Sequence, residues 1–499
     1  MKKIFTILLS LATVTTALAG GPMTNTNQSA AFLRHIARGT TLDTDAVYNN
    51  PAGTVFMEDG WHLGINDQMA KQTRTITSTF APFAMGAGNN GQVTKEFVGE
   101  VFSPVIPSVH LTWKKNRWAV MLGMGVNGGG GSLEFNDGLG SFERQFSVLP
   151  GSITAMGAQF GQLDPAFADI KASQYSMDMY LKGSSQTLAF NAGVAFRITD
   201  WLSAAAMVRY STTSNAYEGH MKNIQFNPTA AALGYNGSMV SASKFFMDAA
   251  TALNGMADKM EAAGKDQMAA TLRGVANEKL LPNTVTTADH ILDVEQTGYS
   301  ISPVLALYFQ KGKWSASAKY EFKMATELEI KSAEVSAKDP VINGIFADGS
   351  KVKSETPALL ALAASRECGP VKITAEYHLY FDKDAKNSFS PCITGNTMEY
   401  LAGAEWQISK RWLVSCGVQR TQLDMDENAY SDMNYSISSW STGIGAAFQA
   451  CDLLRINVGV MPTFYDEATA VGKDSNGIDF KDVYNRTSMA WGIGLDFKF

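Results

Sequence analysis

The chain has 499 residues and a formal net charge of -6 at pH 7, and charged residues make up only 18% of it. A mildly acidic chain lacks the basic surface that nucleic-acid binding needs, so nucleic acid is not an expected partner. The 44 glycines and the 27 Phe, 16 Tyr and 9 Trp residues suit a protein of many strands whose two faces meet different surroundings. A soluble all-β sandwich is the alternative that this composition leaves open.

The N-terminus has the three parts of a secretory signal peptide. Lys2 and Lys3 precede an apolar run at residues 4–11, and residues 17–19 read Ala-Leu-Ala, a small-residue cleavage site. We therefore predict a signal peptide at residues 1–19 and export of the remaining chain. Beyond it we find no apolar run of the roughly 18 residues that a membrane-spanning helix needs. The exported chain is then periplasmic, secreted, or embedded in a membrane as a barrel.

Two segments show the strict alternation of a β-strand with one apolar face. The first begins at Trp314, where apolar side chains at even positions alternate with Ser, Lys and Glu as far as Met324. The second ends the chain, and its apolar face includes Trp491, Phe497 and Phe499. A terminal aromatic residue resembles the signal that bacterial barrel-assembly machinery reads, so this machinery is an expected partner during biogenesis.

Tight polar turns alternate with long connections along the chain. The tight turns are at residues 114–117, 199–200, 311–313, 367–370, 409–411 and 450–452. The long connections are near residues 78–104, 132–183, 214–293, 331–352, 383–396, 424–436 and 465–484. Short turns at one end and long loops at the other are typical of outer-membrane barrels. The map predicts an all-β fold, a transmembrane barrel of fourteen antiparallel strands.

Tryptophans directly follow four of the tight turns. They are Trp118, Trp201, Trp314 and Trp412. In a barrel these rings would form an aromatic girdle at the periplasmic interface of the membrane. An aromatic core at the strand starts is the alternative.

The longest connection has a helical pattern. Apolar residues recur every three or four positions after Ser243, which we expect to cap the helix, and a second short helix is expected at residues 267–276. We predict a helical extracellular insert at residues 240–280. The apolar face of the predicted helix must pack against another surface.

Cysteines and histidines give no sign of a metal centre or cofactor. The cysteines are too few and too scattered for a disulfide framework, so we expect all four to be unpaired: Cys368, Cys392, Cys416 and Cys451. The six histidines are dispersed, with no pair four residues apart. No catalytic motif is present. We therefore expect neither a cofactor nor enzymatic activity.

Residues 20–60, ahead of the first strand, alternate poorly and contain several charges, so they are too polar to cross lipid. Near their end stand Asn50, Pro51 and Ala52. This tripeptide resembles the Asn-Pro-Ala signature of the FadL-type long-chain fatty acid transporter family, although an ordinary turn is the alternative for the tripeptide alone. The similarity spans essentially the whole mature chain. It implies a signal peptide at residues 1–19, a hatch that plugs the lumen at residues 20–60, and a barrel at residues 61–499.

The resemblance implies passive uptake of hydrophobic molecules, long-chain fatty acids above all, across the outer membrane of a Gram-negative bacterium. Extracellular loops would catch the ligand, a pocket inside the barrel would hold it, and the wall would release it sideways. In the hatch, Met23 and Phe32 are candidates to reach that pocket. The candidate capture residues lie in the helical insert: Phe245, Phe246, Leu253, Met256 and Met260. Outer-membrane lipid and lipopolysaccharide would surround a monomer.

The tripeptide and a run of glycines are the candidate gate and exit. Pro51 fixes its own φ and restricts Asn50, so with Ala52 they would form a rigid corner, either a gate or a purely structural element. The third strand of the family is kinked inward. Here the third strand leads into four glycines that favour a bulge, with a flexible loop start as the alternative: Gly128, Gly129, Gly130 and Gly131.

The family binds the fatty acid carboxylate with basic groups inside the barrel. By alternation, the inward-facing candidates are Arg209, Lys319, Lys323 and Arg455. Pairing of these cations with inward acids such as Glu321 is the alternative.

Two other functions are compatible with a barrel. A porin for small polar solutes would have an open lumen and polar loops, and a surface adhesin would have no use for a hatch. The apolar residues of the insert and the hatch-length segment favour hydrophobic transport over both.

Overall fold

Fourteen strands form one antiparallel barrel in the computed structural model, which describes residues 23–162, 165–335 and 349–499. The predicted signal peptide lies outside the described residues. The strands, with interrupted ones counted once, are β1 Gly60–Phe80, β2 Thr94–Lys115, β3 Trp118–Phe135, β4 Tyr175–Arg197, β5 Leu202–Phe226, β6 His290–Lys311, β7 Trp314–Glu321 with Glu327–Val335, β8 Lys351–Lys353 with Leu359–Cys368, β9 Val371–Tyr380, β10 Thr397–Gln407, β11 Trp412–Gln422, β12 Ser439–Cys451, β13 Leu454–Tyr465 with Ala468–Lys473, and β14 Asp479–Lys498.

The sheet closes on itself. Each strand pairs with its neighbours in sequence, and β1 also pairs with β14, with Met69 opposite Trp491. Closure gives the first and last strands backbone partners on both sides, which removes the exposed edge that an open sheet would have. The predicted fourteen-stranded barrel is confirmed.

Side chains alternate between the lumen and the outer surface. In β7, Trp314 is 52% exposed, whereas Lys319 and Glu321 are buried. In β14, Ile493 is exposed and Ala490 is buried. Large apolar side chains exposed along the strands are the lipid-facing surface of a membrane-embedded barrel.

Tryptophans ring the tight-turn end of the barrel. They are all about half exposed: Trp61, Trp118, Trp201, Trp314, Trp406 and Trp412. The ring centroids of Trp118 and Phe196 on neighbouring strands lie 4.6 Å apart. This arrangement confirms the predicted girdle and rules out the alternative of an aromatic core at these positions.

The barrel wall is uneven in height. Strands β1 to β6 have 18 to 25 residues each, whereas β9 to β12 have 10 to 13. Since about 9–11 tilted residues cross the hydrocarbon, the long strands continue beyond it at the long-loop end. The predicted loops are therefore too long: the first is residues 81–93 and the second is residues 136–174. Strand ends outside lipid need no apolar face, so alternation could not mark them.

Helices occur in the N-terminal segment and in two loops. They are α1 Ala30–Arg34, α2 Ala46–Asn49, α3 Gly140–Ser147, α4 Leu149–Phe160, α5 Ala242–Ala262, α6 Asp266–Val275 and α7 Leu281–Thr286. Among the described residues, we find no helix with the length and apolarity needed to cross a membrane.

The helical insert forms close to its predicted position, but its cap differs. The side chain of Ser241 accepts a hydrogen bond from the Lys244 backbone N–H, so Ser241 is the N-cap of α5. Ser243 was the wrong residue for this role, because it lies inside the helix and donates to the Thr284 carbonyl at 2.7 Å. The insert also extends past residue 280 into α7.

All four cysteines are unpaired in the structure. Cys392 is buried in a loop, and Cys368, Cys416 and Cys451 are exposed. Within the described ranges, no three His, Cys, Asp or Glu side chains are grouped so that they could hold a metal ion.

Candidate functional site

Residues 24–57 fill the lumen toward the tight-turn end, and we call them the hatch. Their side chains are buried except for partial exposure at Leu42, Asp43 and Phe56. Inward-facing glycines of the wall make room for them. A Cβ added at Gly443 would lie 2.5 Å from the Leu33 carbonyl oxygen, and one at Gly417 would lie 2.8 Å from the Ile36 nitrogen. The hatch and the wall are therefore fitted to each other closely.

The predicted corner at Asn50, Pro51 and Ala52 lies at the bottom of the hatch. Pro51 begins a 3-10 helix, Pro51–Phe56, directly after α2. The Asn50 amide donates to the Thr41 carbonyl at 2.9 Å, and the Ala52 carbonyl accepts from the Ser203 hydroxyl at 2.5 Å. The tripeptide thus ties the hatch to itself and to β5.

A buried ion network ties the hatch to the opposite wall. Arg34 donates to Glu405 at 2.7 Å, and Arg38 donates to Asp45 at 2.7 Å and to Asp43 at 2.8 Å. Burial alone would raise the pKa of Asp43, but attraction to Arg455, Arg38 and Arg34 outweighs it and holds that pKa well below its usual range. We call this set the hatch latch.

His35, next to Arg34, is held in its neutral form. Its ring is 2% exposed and lies against Gly403 of β10. Burial lowers the pKa of His35 to about 4, and the attraction of Glu405 only partly offsets it. The ring is therefore neutral at pH 7.

The cations predicted to face the lumen are paired with acids. Arg209 and Lys319 both form ion pairs with Glu321, the latter at 2.7 Å. Arg455 pairs with Asp43 at 3.0 Å. The prediction that Lys323 faces the lumen is wrong.

Lys323 lies where β7 is interrupted, between Glu321 and Glu327, so the alternation no longer applies to it. Its side chain is 38% exposed and pairs with Glu355 at 2.9 Å.

An apolar cluster lines the barrel above the hatch, and we call it the upper apolar cluster. Its members include Ile76, Phe80, Phe97, Val101, Leu133, Leu181, Val294 and Ile330 from the strands, and Leu139, Phe142, Met433 and Ile437 from the loops. The sequence pattern did not single out these residues, because most belong to strand ends outside the alternating segments.

Helix α3 closes the mouth above the upper apolar cluster. Leu139 and Phe142 point into the cluster. Arg144 donates to Asp482 of β14 at 2.7 Å, and the Ser141 backbone N–H donates to Asp432 at 2.6 Å. Burial and repulsion from Asp482 raise the pKa of Asp432. The helix is thus held as a lid from two sides.

A narrow apolar cleft lies between the helices of the two large loops. Phe245 and Leu253 of α5 line it together with Met156 and Phe160 of α4. Its cavity volume of about 20 Å³ holds little more than a water molecule, so a ligand would have to part its walls.

The remaining capture candidates lie around this cleft. Phe246 is buried, and Met256 and Met260 pack at the edge of the same loop cluster.

The two residues of the N-terminal segment that were predicted to reach the ligand pocket lie in different places. Phe32 of α1 is 2% exposed and packs with Ile106 and Val126 of the wall. The Met23 carbonyl lies 3.2 Å from where a Cβ at Gly128 would be. Met23 therefore adjoins the glycine run, and Phe32 packs against the wall just below it.

The backbone ladder between β2 and β3 is interrupted at the glycine run. Pairing runs as far as Ser108 opposite Gly125 and resumes only at Val101 opposite Leu133. We call the unpaired stretch, residues 102–107 and 126–132, the β2–β3 gap.

Proline and glycine explain the gap. Pro104 and Pro107 have no N–H to donate to a neighbouring strand. Gly129 and Gly130 have φ angles of 67° and 115°, which favour glycine. The Ser103 hydroxyl donates to the Gly130 carbonyl across the gap.

Apolar side chains border the gap on both sides of the wall. Inside, Val101 and Leu133 belong to the upper apolar cluster, and Ile106 packs with the hatch. Outside, Phe102 is 58% and Val105 is 62% exposed.

A closed fourteen-stranded barrel with a hatch in its lumen defines the class of protein. No family model and no curated protein sequence matches the chain. Solved structures do: a FadL homologue of Pseudomonas aeruginosa matches with a TM-score of 0.60 and 13% identity, over 96% of this chain and 100% of that chain. The toluene transporter TodX of P. putida matches with a TM-score of 0.50 and 12% identity, over 92% and 95%. The chain has the fold of the FadL-type barrels, which confirms the predicted resemblance at the level of the fold.

Proposed function

We propose that the chain is an outer-membrane channel of a Gram-negative bacterium for passive uptake of hydrophobic molecules, and that long-chain fatty acids are its main substrate class. The β2–β3 gap carries this proposal. Its lower edge, Pro107, is eight residues from the end of β2 at Lys115. At the usual rise and tilt this is roughly 20 Å, which places the edge within the hydrocarbon.

Uptake would follow the apolar surfaces in order. A ligand would part the cleft between α4 and α5, pass the lid α3, and enter the upper apolar cluster. Val101 and Leu133 lie both in that cluster and at the upper edge of the gap. A hydrophobic molecule could then leave into lipid through the gap between Phe102 and Val105. On this path it would pass the hatch residues Asn25 and Gln28, which donate to the Val126 carbonyl at the β3 edge of the gap. Diffusion down a gradient is sufficient to drive this path.

The hatch argues against the two rival functions. A porin needs a water-filled lumen, but here the lumen holds a buried hatch that touches the wall on opposite sides. An adhesin would need no gap in its wall and no apolar route to it.

Small aromatic hydrocarbons are the second candidate substrate class, because one structural neighbour is a toluene transporter. The lumen cations Arg209, Lys319 and Arg455 are already paired with acids, so these three give a carboxylate no advantage over a hydrocarbon. Saturable uptake of labelled oleate and of labelled toluene into liposomes, with a sugar of similar mass as reference, distinguishes the classes. Indifference to both ligands, together with large ion conductance, would favour a porin.

A reversible disulfide across the β2–β3 gap tests whether the ligand leaves through it. The Cβ of Ser103 lies 3.8 Å from a Cβ built at Gly131, which is the usual separation in a disulfide. In a background with the four native cysteines changed to Ser, the pair Ser103→Cys and Gly131→Cys should lose most uptake when oxidised. A reducing agent should restore it.

The two single variants are the matched controls, because each carries the added thiol without the disulfide. Both should transport equally well with and without reducing agent. Full uptake by the oxidised double variant would show that the ligand leaves by another route.

A further inference from the structure

The tight-turn rim of the barrel carries a repeated unit that the transport route does not use. At three of the turns, two exposed cations are followed directly by an outward tryptophan. The three units are Lys115, Arg117 and Trp118; Lys311, Lys313 and Trp314; and Lys410, Arg411 and Trp412. The tryptophans are 53%, 52% and 49% exposed.

Turn geometry brings the two cations of a unit together. In the first two units the residue between the cations is in the left-handed region, Asn116 with φ 56° and Gly312 with φ 62°. A tight turn at that point leaves the flanking side chains free to reach the same side of the rim.

Three other rim cations form ion pairs with nearby acids. Lys114 pairs with Asp59, Arg197 with Asp200, and Lys498 with Glu58. Within the parts of the chain that the structure describes, none of the six cations of the three units forms an ion pair. They therefore place positive charge outside any ion pair at three points around the rim, and at the first unit Asp59 lies nearby and accepts from the Asn116 backbone N–H.

One loop at the opposite end of the barrel is acidic. The loop of residues 423–438 contains Asp424, Asp426, Glu427 and Asp432 and no Lys or Arg. Because the whole chain has a net charge of -6, the cationic units are a local feature and not a general one.

We propose that each unit binds the headgroup phosphate of an anionic phospholipid in the periplasmic leaflet. This rests on the proposed placement in the outer membrane with the tight turns toward the periplasm. An interfacial indole lies at the depth of the lipid glycerol, and two cations just beyond it reach the phosphate level. Arg and Lys are the side chains that best complement phosphate oxygens.

Native mass spectrometry of the full protein released from detergent micelles tests the proposal. The protein is titrated with phosphatidylglycerol, phosphatidylcholine or lipid A of known concentration. The wild type should retain up to three phosphatidylglycerol molecules at concentrations where phosphatidylcholine is lost. The pairs K115Q/R117Q, K311Q/K313Q and K410Q/R411Q should each remove one retained lipid, and the sixfold variant should bind phosphatidylglycerol roughly tenfold more weakly.

The control variant K259Q/K265Q removes two exposed cations from the extracellular insert and should retain lipid like the wild type. Heat-modifiable migration on gels verifies that every variant is folded. Equal retention of the two phospholipids, or a wild-type preference in the sixfold variant, would overturn the proposal. So would a sixfold variant that loses only lipid A. Uptake is also measured with the same proteins after reconstitution into liposomes. Selective lipid retention without uptake would refute the proposed transport function and leave the lipid-binding proposal standing.

Discussion

At the scale of single residues, the hatch is held by charges that are out of contact with water. The Arg34 side chain is fully buried, and its guanidinium reaches Glu405, Asn457 and Ser415 on three different strands. A buried ion pair of this kind adds little net stability compared with apolar packing. Removal of one partner, however, leaves the other charge buried without a counter-ion. The latch therefore specifies where the hatch docks.

Replacing Arg34 tests this role. Arg34→Gln should weaken docking of the hatch by about 3 kcal/mol, at the lower end of the range for a broken buried pair, because Arg38 lies 3.4 Å from Glu405 and compensates in part. Conductance in planar bilayers should rise while the barrel stays folded. The control is Arg420→Gln, whose exposed pair with Asp466 contributes at most about 1 kcal/mol. Equal conductance in both variants would contradict the latch.

His35 predicts how hatch docking depends on pH. Its folded pKa of about 4 lies below the ordinary 6.5, so the docked ring stays neutral while the released ring takes up a proton. The contribution of His35 to the free energy of hatch docking is complete above pH 6.5. It declines by about 3 kcal/mol as the pH falls to 4 and is constant below that pH.

The measurement is the urea midpoint of hatch release between pH 7 and pH 4, followed by a fluorescent label on the hatch. His35→Gln cannot titrate, so it should show a smaller decline than the wild type. Identical slopes for the two proteins would show that His35 is not the titrating group.

Residue patterns predicted which side chains face the lumen and named Glu321 as a possible partner, with which Arg209 and Lys319 both pair. Alternation placed Arg209, Lys319 and Arg455 inward, and the structure has them there. It could not show that Arg34 meets Glu405, because 371 positions separate them and barrel curvature brings them together. It was wrong for Lys323 because the strand is interrupted at that point.

At the scale of elements, the lid α3 is the part most suited to open. It has eight residues and is held by polar contacts at Ser141, Glu143 and Arg144 and by the buried side chains of Phe142 and Phe146. A short loop helix outside the backbone ladder of the barrel opens at a lower free-energy cost than the strands of the wall.

Weakening one of these contacts should open the lid. Arg144→Gln removes the bond to Asp482 and leaves that carboxylate buried without its cation. Residues 140–147 should then exchange backbone hydrogens at least tenfold faster, and ligand entry should accelerate. Arg273→Gln, which breaks exposed pairs with Asp258 and Glu261, is the control and should leave exchange in the lid unchanged. Unaltered exchange in Arg144→Gln would mean that apolar packing alone holds α3.

The elements inside the membrane could be predicted, whereas of those outside it only the helical insert could. Lipid imposes a period of two on every strand that it touches, and the last strand up to Phe499 shows this clearly. Helices α3 and α4 contain glycine and serine at positions that blur the helical pattern, so the sequence did not reveal them. The upper apolar cluster was missed because most of its residues belong to strand ends outside the alternating segments.

At the scale of the whole molecule, hatch and wall form a single fitted body. Glycines on β1, β3, β10, β11, β12, β13 and β14 all face hatch atoms. Wall residues that are small only to accommodate the hatch would line an open space if it were absent. The barrel should still close, because its backbone ladder does not include the hatch.

Removing most of the hatch should therefore yield a pore. Deletion of residues 20–48, with the signal peptide kept, should give a folded barrel whose conductance is at least tenfold above that of the full chain. Small polar dyes should then leak from liposomes. Unchanged conductance would show that the segment does not plug the lumen.

The unequal strand lengths give the molecule a raised side and a low side. Roughly ten surplus residues in each of β1 to β6 lift that part of the rim about 25 Å above the bilayer. The opposite part, from β9 to β12, ends near the lipid surface. The break between β2 and β3 lies under the raised side, and the cleft between α4 and α5, where the proposed route begins, lies on the same side. Entry and exit would thus share one side of the circumference in the proposed route, and the low side would serve neither.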